Sequence, residues 1–383
     1  MEYIKLTDVC DFQGGSQPPK SEWINKATDG YIRMLQIRDF TQDREEKEFV
    51  KLTNTIKICK KDDVLIARYG ASAGKILTGL EGAYNVAIMK SIPDENKINK
   101  KYLYYYFHTQ YFQHNIKNVG SRAAQAGFNI SELDKFNIYL AELDNQKKIV
   151  EVLDKAQSLI DKKKEQVELL DELVKSRFID MFGDPVINNK NWETVELRYC
   201  IQEIKYGTST PPNFSEQGIP FIRATNIKEG RIVENDMKYI SDEEAKKIEK
   251  CKLSLGDTII VRSGANTGDN TFVPEKYVDC YGGYDIIVKL NEKINYRFLN
   301  VLLNSVYREV VIQPLTRRAG QPHLNSEQIQ SLMVYLPPIE LQNEFAEFVT
   351  KTDSIRSKME ASLSELEDNF NSLMQKAFKG ELF

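Results

Sequence analysis

The chain has 383 residues, enough for two or three domains, and 41% hydrophobic residues with 18 Phe and 19 Tyr, enough for each domain to bury a core. Its first residues include a charge every few positions, and no apolar run reaches the roughly 18 residues that a membrane span needs, so we expect a cytoplasmic protein that is neither exported nor embedded. Five cysteines without a CxxC pair and three scattered histidines argue against a disulfide framework and a bound metal.

The formal net charge of -4 is unevenly distributed along the chain. Residues 1–143 carry 20 Lys and Arg against 18 Asp and Glu, and residues 186–339 carry 19 against 19. The excess acid lies in residues 144–185, with 8 against 10, and in residues 340–383, with 5 against 9. A balanced domain can still present a basic face to phosphate, so the net charge neither supports nor excludes a nucleic-acid partner.

The first 143 residues predict a mixed domain with many short strands. A turn-forming stretch, GGSQPP (Gly14–Pro19), precedes the apolar YIRMLQI (Tyr31–Ile37), and a β-branched run reaches glycines in VLIARYGASAGK (Val64–Lys75). An aromatic helical pattern follows over Lys100–Ile116. We assign most of its Tyr and Phe side chains to the core rather than to base stacking.

A long helical pattern begins after the polar element SRAAQAGFN (Ser121–Asn129) and the stretch LAELDNQ (Leu140–Gln146). Its apolar residues recur every seven positions, in one stripe of Leu153, Ile160, Val167 and Val174 and a companion stripe of Ile149, Ala156 and Leu170, interrupted by Lys163. This spacing indicates a heptad seam. The glycine and proline of FGDP (Phe182–Pro185) are stop signals that end the helix.

Each of these elements recurs at an offset of 190 to 196 residues. The second copies are YGTSTPP (Tyr206–Pro212), FIRATNI (Phe221–Ile227), TIIVRSGANTGD (Thr258–Asp269), a helical pattern over Tyr296–Ile312, RRAGQPHLN (Arg317–Asn325) and MVYLPPIELQ (Met333–Gln342), which aligns Gln342 with Gln146. The offset drifts as loop insertions would make it drift. The chain is therefore one unit of about 190 residues written twice.

A second heptad pattern follows the prolines at 337 and 338. Its stripes are Phe345, Met359, Leu366 and Leu373, beside Val349, Leu363, Phe370 and Ala377, with Arg356 as the interruption. The two helices would each have about 38 residues and a length of about 57 Å. Neither can bury its stripe alone, so we expect them to pack on each other, antiparallel, which gives the chain an internal pseudo-twofold; the alternative is that they merely link domains.

At these residues the chain resembles the DNA specificity subunits of type I restriction-modification systems. The resemblance rests on YLPPIELQNEFAEFV (Tyr335–Val349), its degenerate partner LAELDNQKKIVEVLDKA (Leu140–Ala156), the RAGQPHLN element with its twin, and the order of globular and helical segments. It covers essentially the whole chain. The first copy departs from the pattern by having LAELDNQ where the second has LPPIELQ, which affects the helix start rather than the layout.

The resemblance implies an α+β fold with two tandem mixed α/β target-recognition domains, residues 1–143 and 186–339, joined by two long antiparallel coiled-coil helices, residues 144–185 and 340–383. Each domain would recognise one half of a split sequence in double-stranded DNA, while the helices set the gap and dock two modification subunits. Restriction subunits join where the system also cleaves. S-adenosylmethionine, ATP and magnesium would belong to those partners, and this chain would have no cofactor of its own.

Two arginines, Arg68 and Arg262, stand just before the glycine-rich turn of each copy, where a guanidinium could reach phosphate or a guanine edge. The alternative is that each anchors its loop through a carboxylate. Other candidates at these turns are Ser72, Lys75, Asn266 and Thr267. The tips differ between the copies, as two loops that read different bases should.

The recurring polar element supplies a second set of candidates, namely Arg122, Gln125 and Asn129 in the first copy and Arg318, Gln321 and Asn325 in the second. Because it recurs, it suggests phosphate contact or scaffolding rather than base choice; a polar loop tying the domain to its helix is the alternative. Residue chemistry alone adds Gln17, Lys20, Arg33, Gln36, Arg38, Lys205, Thr208, Arg223, Asn226 and Lys228.

None of the three candidate catalytic motifs in the sequence has the residue spacing that its reaction requires. GASAGK lacks the phosphate-loop spacing, and TPPNF (Thr210–Phe214) has its prolines in the wrong place for an adenine methyltransferase. PDENK (Pro93–Lys97) lacks the second acidic residue of a nuclease site. We therefore expect a non-catalytic subunit, with an interaction scaffold whose duplicated heads bind protein as the alternative.

Overall fold

The computed structural model describes residues 3–42, 45–121, 127–316 and 322–383, without the side chains of residues 119–121. The chain forms two compact units: Met1–Lys163 with Ser362–Phe383 is unit one, and Lys164–Ala361 is unit two. Both units combine sheets with helices, so the fold is α+β, as predicted. Two long helices contribute residues to each unit.

The described part of unit one is rich in short strands, as its alternating apolar runs and glycine turns predict. Its strands are β1 (Tyr3–Lys5), β2 (Cys10–Gly14), β3 (Tyr31–Leu35), β4 (Phe49–Lys51), β5 (Ile58–Cys59), β6 (Leu65–Ala67), β7 (Ile76–Leu77), β8 (Gly82–Tyr84), β9 (Ile88–Pro93) and β10 (Asn137–Tyr139). Its short helices are α1 (Ile37–Thr41), α2 (Lys100–His108), α3 (Gln110–Ser121) and α4 (Ile130–Leu133).

The strands of unit one form two four-stranded sheets and one pair. The first sheet, in the order β2-β9-β6-β7, is antiparallel, and Met89 of β9 lies between Gly14 of β2 and Ile66 of β6. The second sheet has the order β4-β3-β8-β5, with β3 and β8 parallel. Strand β1 pairs with β10.

Unit two continues the numbering. Its strands are β11 (Thr194–Glu196), β12 (Ile201–Tyr206), β13 (Phe214–Ser215), β14 (Ile219–Ile222), β15 (Ile227–Lys228), β16 (Arg231–Ile232), β17 (Lys238–Ile240), β18 (Thr258–Ile260), β19 (Asn270–Phe272), β20 (Tyr281–Gly282), β21 (Ile286–Leu290) and β22 (Met333–Tyr335). Its short helices are α6 (Asp242–Lys247), α7 (Tyr296–Leu303), α8 (Gln313–Thr316) and α9 (Ser326–Gln330), with a π-helical turn at Arg308–Ile312.

The sheets of unit two repeat those of unit one. The order β12-β21-β18-β19 corresponds to β2-β9-β6-β7, and the parallel pair β14-β20 corresponds to β3-β8. Register agrees as well, since Ile286 of β21 lies between Tyr206 of β12 and Ile260 of β18. By register, Tyr206 therefore occupies the position that Gly14 has in unit one.

The long helices are α5 (Leu143–Phe182, 40 residues) and α10 (Ile339–Lys379, 41 residues). In unit two they run antiparallel, because Phe178 packs on Phe345 while Arg356 contacts Val167 and Asp171. In unit one, Leu153 of α5 belongs to the same core as Met374 and Ala377 of α10. Leu153, Ile160 and Phe345 of the predicted stripes are buried, whereas Val167, Met359 and Leu366 are half-buried.

A buried glutamine explains why the sequence repeats at the start of each long helix. Gln146 accepts a hydrogen bond from the Asn99 backbone N–H (2.7 Å) and donates to the carbonyl oxygens of Lys97 and Ala141. Gln342 accepts from Asn295 N–H (2.8 Å) in the same way. Both side chains are fully buried, and each fastens its long helix to the loop before α2 or α7.

Each predicted aromatic helical segment is interrupted. The first divides into α2 and α3 at Thr109, whose ψ of 147° is extended. The second is α7 followed by the π-helical turn and α8. The rings of Tyr102, Tyr105 and Tyr106 in α2 are buried in the core, as predicted.

Candidate nucleic-acid interface

In each unit, the glycine-rich hairpin and the recurring polar element lie side by side. A β-bridge joins Tyr69 to Gly127 in unit one, and another joins Ser263 to His323 in unit two. We call each joined pair the platform: residues 67–75 with 127–129 in unit one, and 261–269 with 322–325 in unit two. Two motifs that are about 60 residues apart in sequence therefore form one surface in each copy.

Glycine is required at the base of each platform hairpin. Gly74 has a φ of 86° and Gly268 a φ of 92°, both in the left-handed region that favours glycine. A Cβ at Gly74 would lie 2.6 Å from Cγ2 of Ile116, so the hairpin packs directly on α3. These glycines serve the turn, as predicted.

The arginine of the unit-one platform is bonded to neutral oxygens. Nε of Arg68 donates to the Phe128 carbonyl (3.3 Å), Nη1 to the Val86 carbonyl (3.4 Å) and Nη2 to Oδ1 of Asn129 (3.1 Å). The side chain also lies 5.0 Å from the Tyr69 ring. Among the described residues no carboxylate pairs with Arg68, so its charge is not neutralised within the unit.

The arginine of the unit-two platform lies close to two aromatic rings. The guanidinium carbon of Arg262 is 4.7 Å from the ring centre of Tyr206 and 5.0 Å from that of Tyr284. Its Nε is buried without a partner, and its guanidinium donates no hydrogen bond to a described residue. Both rings are partly exposed, Tyr206 by 39% and Tyr284 by 50%.

A buried carboxylate, Asp285, lies next to this arginine. Its Oδ1 accepts a hydrogen bond from the Arg262 backbone N–H (3.3 Å), and its Oδ2 has no partner. Burial raises the pKa of Asp285 to about 6, and the nearby Arg262 charge only partly opposes that rise. Tyr206, Tyr284 and Asp285 were not predicted as site residues. The one signal in the sequence was that YGTSTPP has Tyr206 where GGSQPP has Gly14.

The remaining platform candidates are polar side chains at or beside the turns. Lys75 is exposed and Ser72 half-buried, while Thr267 is buried and donates to the Gly264 carbonyl (2.6 Å). Asn266 donates to the Ala224 carbonyl. Asn129 and Asn325 stand immediately before α4 and α9, and Asn325 Oδ1 caps its helix through Gln328 N–H (2.8 Å). Arg122, Gln125, Arg318 and Gln321 lie outside the described residues.

The other unit-one candidates form a network around Glu48. Lys20, Gln36 and Arg38 all bind its carboxylate, and Arg33 pairs with Asp39 (3.1 Å). Burial would raise the pKa of Glu48, but these partners outweigh it and lower the pKa. Gln17 is exposed. The three cations of this network are thus already paired with carboxylates.

The other unit-two candidates are more dispersed. Arg223 pairs with Asp236 (3.0 Å), and the fully buried Asn226 donates to the carbonyl oxygens of Val233 and Asn235. Thr208 is buried and bonds the Thr210 carbonyl. Lys228 is exposed beside Glu229, and Lys205 is half-buried on β12.

The described part of the chain lacks two further kinds of feature. It contains no group of three or more His, Cys, Asp or Glu side chains placed to hold a metal ion. It also contains no helix with the length and hydropathy that a membrane crossing requires.

Comparison with known proteins gives a consistent set of similarities. The family model described as "Type I restriction modification DNA specificity domain" matches residues 1–169 and 189–368. The type I restriction enzyme MjaVIII specificity subunit of Methanocaldococcus jannaschii is 24% identical over 379 residues, covering 92% of this chain and 86% of that protein. The EcoKI specificity subunit of Escherichia coli K12 is 21% identical over 407 residues, covering 95% and 85%.

Solved structures show the same fold. The type I restriction-modification S subunit from M. genitalium superposes with a TM-score of 0.58 at 15% identity, covering 98% of this chain and 96% of that one. A chain from a structure on complex assembly and conformational transition of the type I R-M system gives a TM-score of 0.59 at 14% identity, covering 100% and 98%.

Proposed function

The chain belongs to the type I restriction modification DNA specificity family, and from this premise we propose that each of its two units recognises one half of a split sequence in duplex DNA. It is a DNA specificity subunit, and its two specificity domains fit a two-part target. We assign it no catalytic step. Its part in the reaction is to choose the site at which partner subunits act.

The observation that carries this proposal is the platform, which the chain builds twice from the same two motifs. Arg68, Lys75 and Arg262 bring positive charge to these platforms. Among the described residues Arg68 and Lys75 form no ion pair with a carboxylate, while Arg262 lies next to the buried Asp285. Uncompensated guanidinium and ammonium groups attract phosphate and base-edge acceptors. Lys20, Arg33 and Arg38 are already neutralised by carboxylates and would add less.

The predicted DNA-contacting set remains part of this proposal. Asn129 and Asn325 position the platform loops at the start of α4 and α9, which suits a scaffold close to DNA. Arg122, Gln125, Arg318 and Gln321 belong to the same recurring element of the sequence. They are proposed as backbone contacts because the element recurs in both copies.

The helices α5 and α10 are proposed to set the gap between half-sites and to dock two modification subunits, which would carry S-adenosylmethionine. Exposed apolar side chains on these helices support a docking role: Leu159 in unit one, and Leu169, Leu173, Ile179 and Ile355 in unit two. Apolar residues on a solvent-facing helix surface often mark protein contacts. Restriction subunits, with ATP and magnesium, would join in the cytoplasm where the system also cleaves.

The direct test is the pattern of DNA methylation that the chain directs. We would express it with the modification subunit of its own system in a host that lacks DNA methylation, and sequence the genome for methylated bases. We expect one gapped, asymmetric two-part motif that disappears when this chain is omitted. Methylation that persists unchanged without the chain, or an ungapped motif, would contradict the proposal.

A further inference from the structure

The two platform arginines occupy equivalent positions but have different surroundings. Arg68 and Arg262 precede the same hairpin turn at an offset of 194. The backbone N–H of each donates a hydrogen bond to the residue just before the neighbouring strand or one of its side-chain atoms. Arg68 N–H bonds the carbonyl of Ala87 (2.8 Å), whereas Arg262 N–H bonds the side chain of Asp285. The arginine is therefore present in both units, but its neighbours differ between them.

In unit one, the neighbours of the arginine let it fold onto the platform. Gly14 has no side chain, and a Cβ there would lie only 3.3 Å from Nη1 of Arg68. All three nitrogens of the guanidinium are then used by oxygens of the unit itself. These three bonds use three of the five guanidinium N–H groups and fix the orientation of the side chain, whereas the Arg262 guanidinium donates to no described residue.

In unit two, the equivalent position by register is Tyr206, whose ring centre lies 4.7 Å from the guanidinium carbon of Arg262. The Tyr206 hydroxyl accepts a hydrogen bond from Ser326 N–H (2.9 Å), which fixes the ring at the start of α9. Tyr284 provides the second ring. The guanidinium carbon lies within 5.0 Å of both ring centres. Its Nε is buried without a partner, and its Nη1 and Nη2 donate to no described residue.

We propose that Arg262 reads a guanine in the half-site bound by unit two, and that Arg68 makes no equivalent base contact. Guanine presents O6 and N7 in one plane on its major-groove edge, and a planar guanidinium donates to both. Packing against two rings restricts the motion of the guanidinium, which favours a fixed planar pair of acceptors. A phosphate contact would serve both half-sites alike, whereas base reading must differ between copies that read different sequences.

This inference rests on the proposed function, and its test begins with the assembled complex. Full-length chain with its modification subunits would select duplexes from a pool with randomised sequence, and the bound fraction would define the two-part motif. We expect at least one invariant G·C pair in the half-site assigned to unit two. Arg262→Lys and Arg262→Ala should relax the requirement at that pair while leaving the other half-site unchanged.

Atom-level substitution then identifies the contact. Replacing the guanine by 7-deazaguanine removes the N7 acceptor and should weaken binding by roughly tenfold in the wild type, the scale of one bidentate base contact. The same replacement should have no effect in Arg262→Ala. Inosine, which alters only the minor-groove edge, should be neutral in both. Arg68→Lys is the matched control, and it should not couple to any guanine of either half-site.

The possible results distinguish a failure of the Arg262 assignment from a failure of the proposed function on which it rests. If selection yields no two-part motif, the proposed function fails. If it yields one that Arg262→Ala leaves unchanged, or if affinity falls equally for all sequences, Arg262 contacts phosphate or nothing, and the inference is overturned. Coupling between 7-deazaguanine and Arg262→Ala supports it. Arg262→Ala also removes the positive charge beside the buried Asp285, so thermal unfolding at the assay pH would establish that both Arg262 variants remain folded.

Discussion

At the scale of single residues, Asp285 makes a pH-dependent contribution to stability. Its carboxyl is buried and its pKa is raised to about 6, so the folded chain holds a proton that the unfolded chain releases between about pH 4 and pH 6. Stability contributed by this group is therefore present below pH 4 and lost as pH rises through 6. Asp285→Asn should stabilise unit two at pH 8, by at most about 3 kcal/mol for a shift of about two pKa units, and should have little effect at pH 4.

Tryptophan fluorescence can follow unit two alone, because Trp192 lies in it and Trp23 lies in unit one. In a Trp23→Phe background, denaturant unfolding of the wild type and Asp285→Asn would be compared from pH 4 to pH 8. Glu216→Gln, at an exposed loop position, is the control with a pH-independent effect. An Asp285→Asn difference that stays constant over this range would show that the carboxyl is not protonated in the folded state.

The residues of the site were only partly predictable. Arg68 and Arg262 follow from the repeat, because the hairpin and its glycines are local features of sequence. Tyr284 and Asp285 lie more than twenty residues beyond Arg262, and only the register between β21 and β18 brings them to it. Sequence alone could not show that Arg68 is hydrogen-bonded within its own unit while Arg262 packs beside two rings, because these contacts depend on side-chain packing across strands.

At the scale of elements, Arg356, the charged residue that interrupts the second heptad stripe, forms an ion pair. Arg356 is 6% exposed, and it donates to Oδ1 of Asp171 (2.6 Å) and to the Val167 carbonyl. Arg231, from the β15–β16 hairpin, binds the same carboxylate oxygen. Asp171→Ala would leave the Arg356 charge buried and unpaired, so we expect a loss of about 2 to 3 kcal/mol, at the low end because Asp171 is partly exposed.

Replacing the buried charge itself should cost less than removing its partner. Arg356→Met restores an apolar heptad position, and the double variant Asp171→Ala, Arg356→Met should recover most of the loss. Glu172→Ala, on the same helix but in an exposed pair with Lys175, should change stability by less than about 0.5 kcal/mol. Additive effects of the two substitutions in denaturant unfolding would rule out a coupled pair at this point of the seam.

The elements differ in how far sequence determines them. A seven-residue apolar repeat is local, so both long helices were predicted at about the observed length. The sheets depend on pairings such as β2 with β9, which join residues some 80 positions apart. Sequence indicated short strands there but not their order. The extended backbone at Thr109, which divides the first aromatic helix, also had no clear sequence signal.

At the scale of the whole molecule, the net charge of -4 does not show how charged side chains are distributed and paired, and that distribution determines DNA binding. The acidic excess lies in the helical segments, and many cations of the globular segments are paired with carboxylates, as around Glu48. Among the described platform residues, Arg68 and Lys75 form no ion pair with a carboxylate and can replace counterions on DNA. Composition could not reveal this, because pairing is a property of the folded chain.

The dependence of DNA affinity on salt concentration measures how many cations contact phosphate. Each phosphate neutralised contributes a slope of about -0.9 to the logarithm of affinity against the logarithm of salt concentration. If Lys75 contacts phosphate in unit one, Lys75→Gln in the assembled complex should make the slope shallower by about 0.9, with the selected motif unchanged. Lys175→Gln, whose charge is already paired with Glu172, should leave the slope as it is. An unchanged slope in Lys75→Gln would place that side chain away from the DNA backbone, and a wild-type slope near zero would remove phosphate contact from the proposed mode of binding.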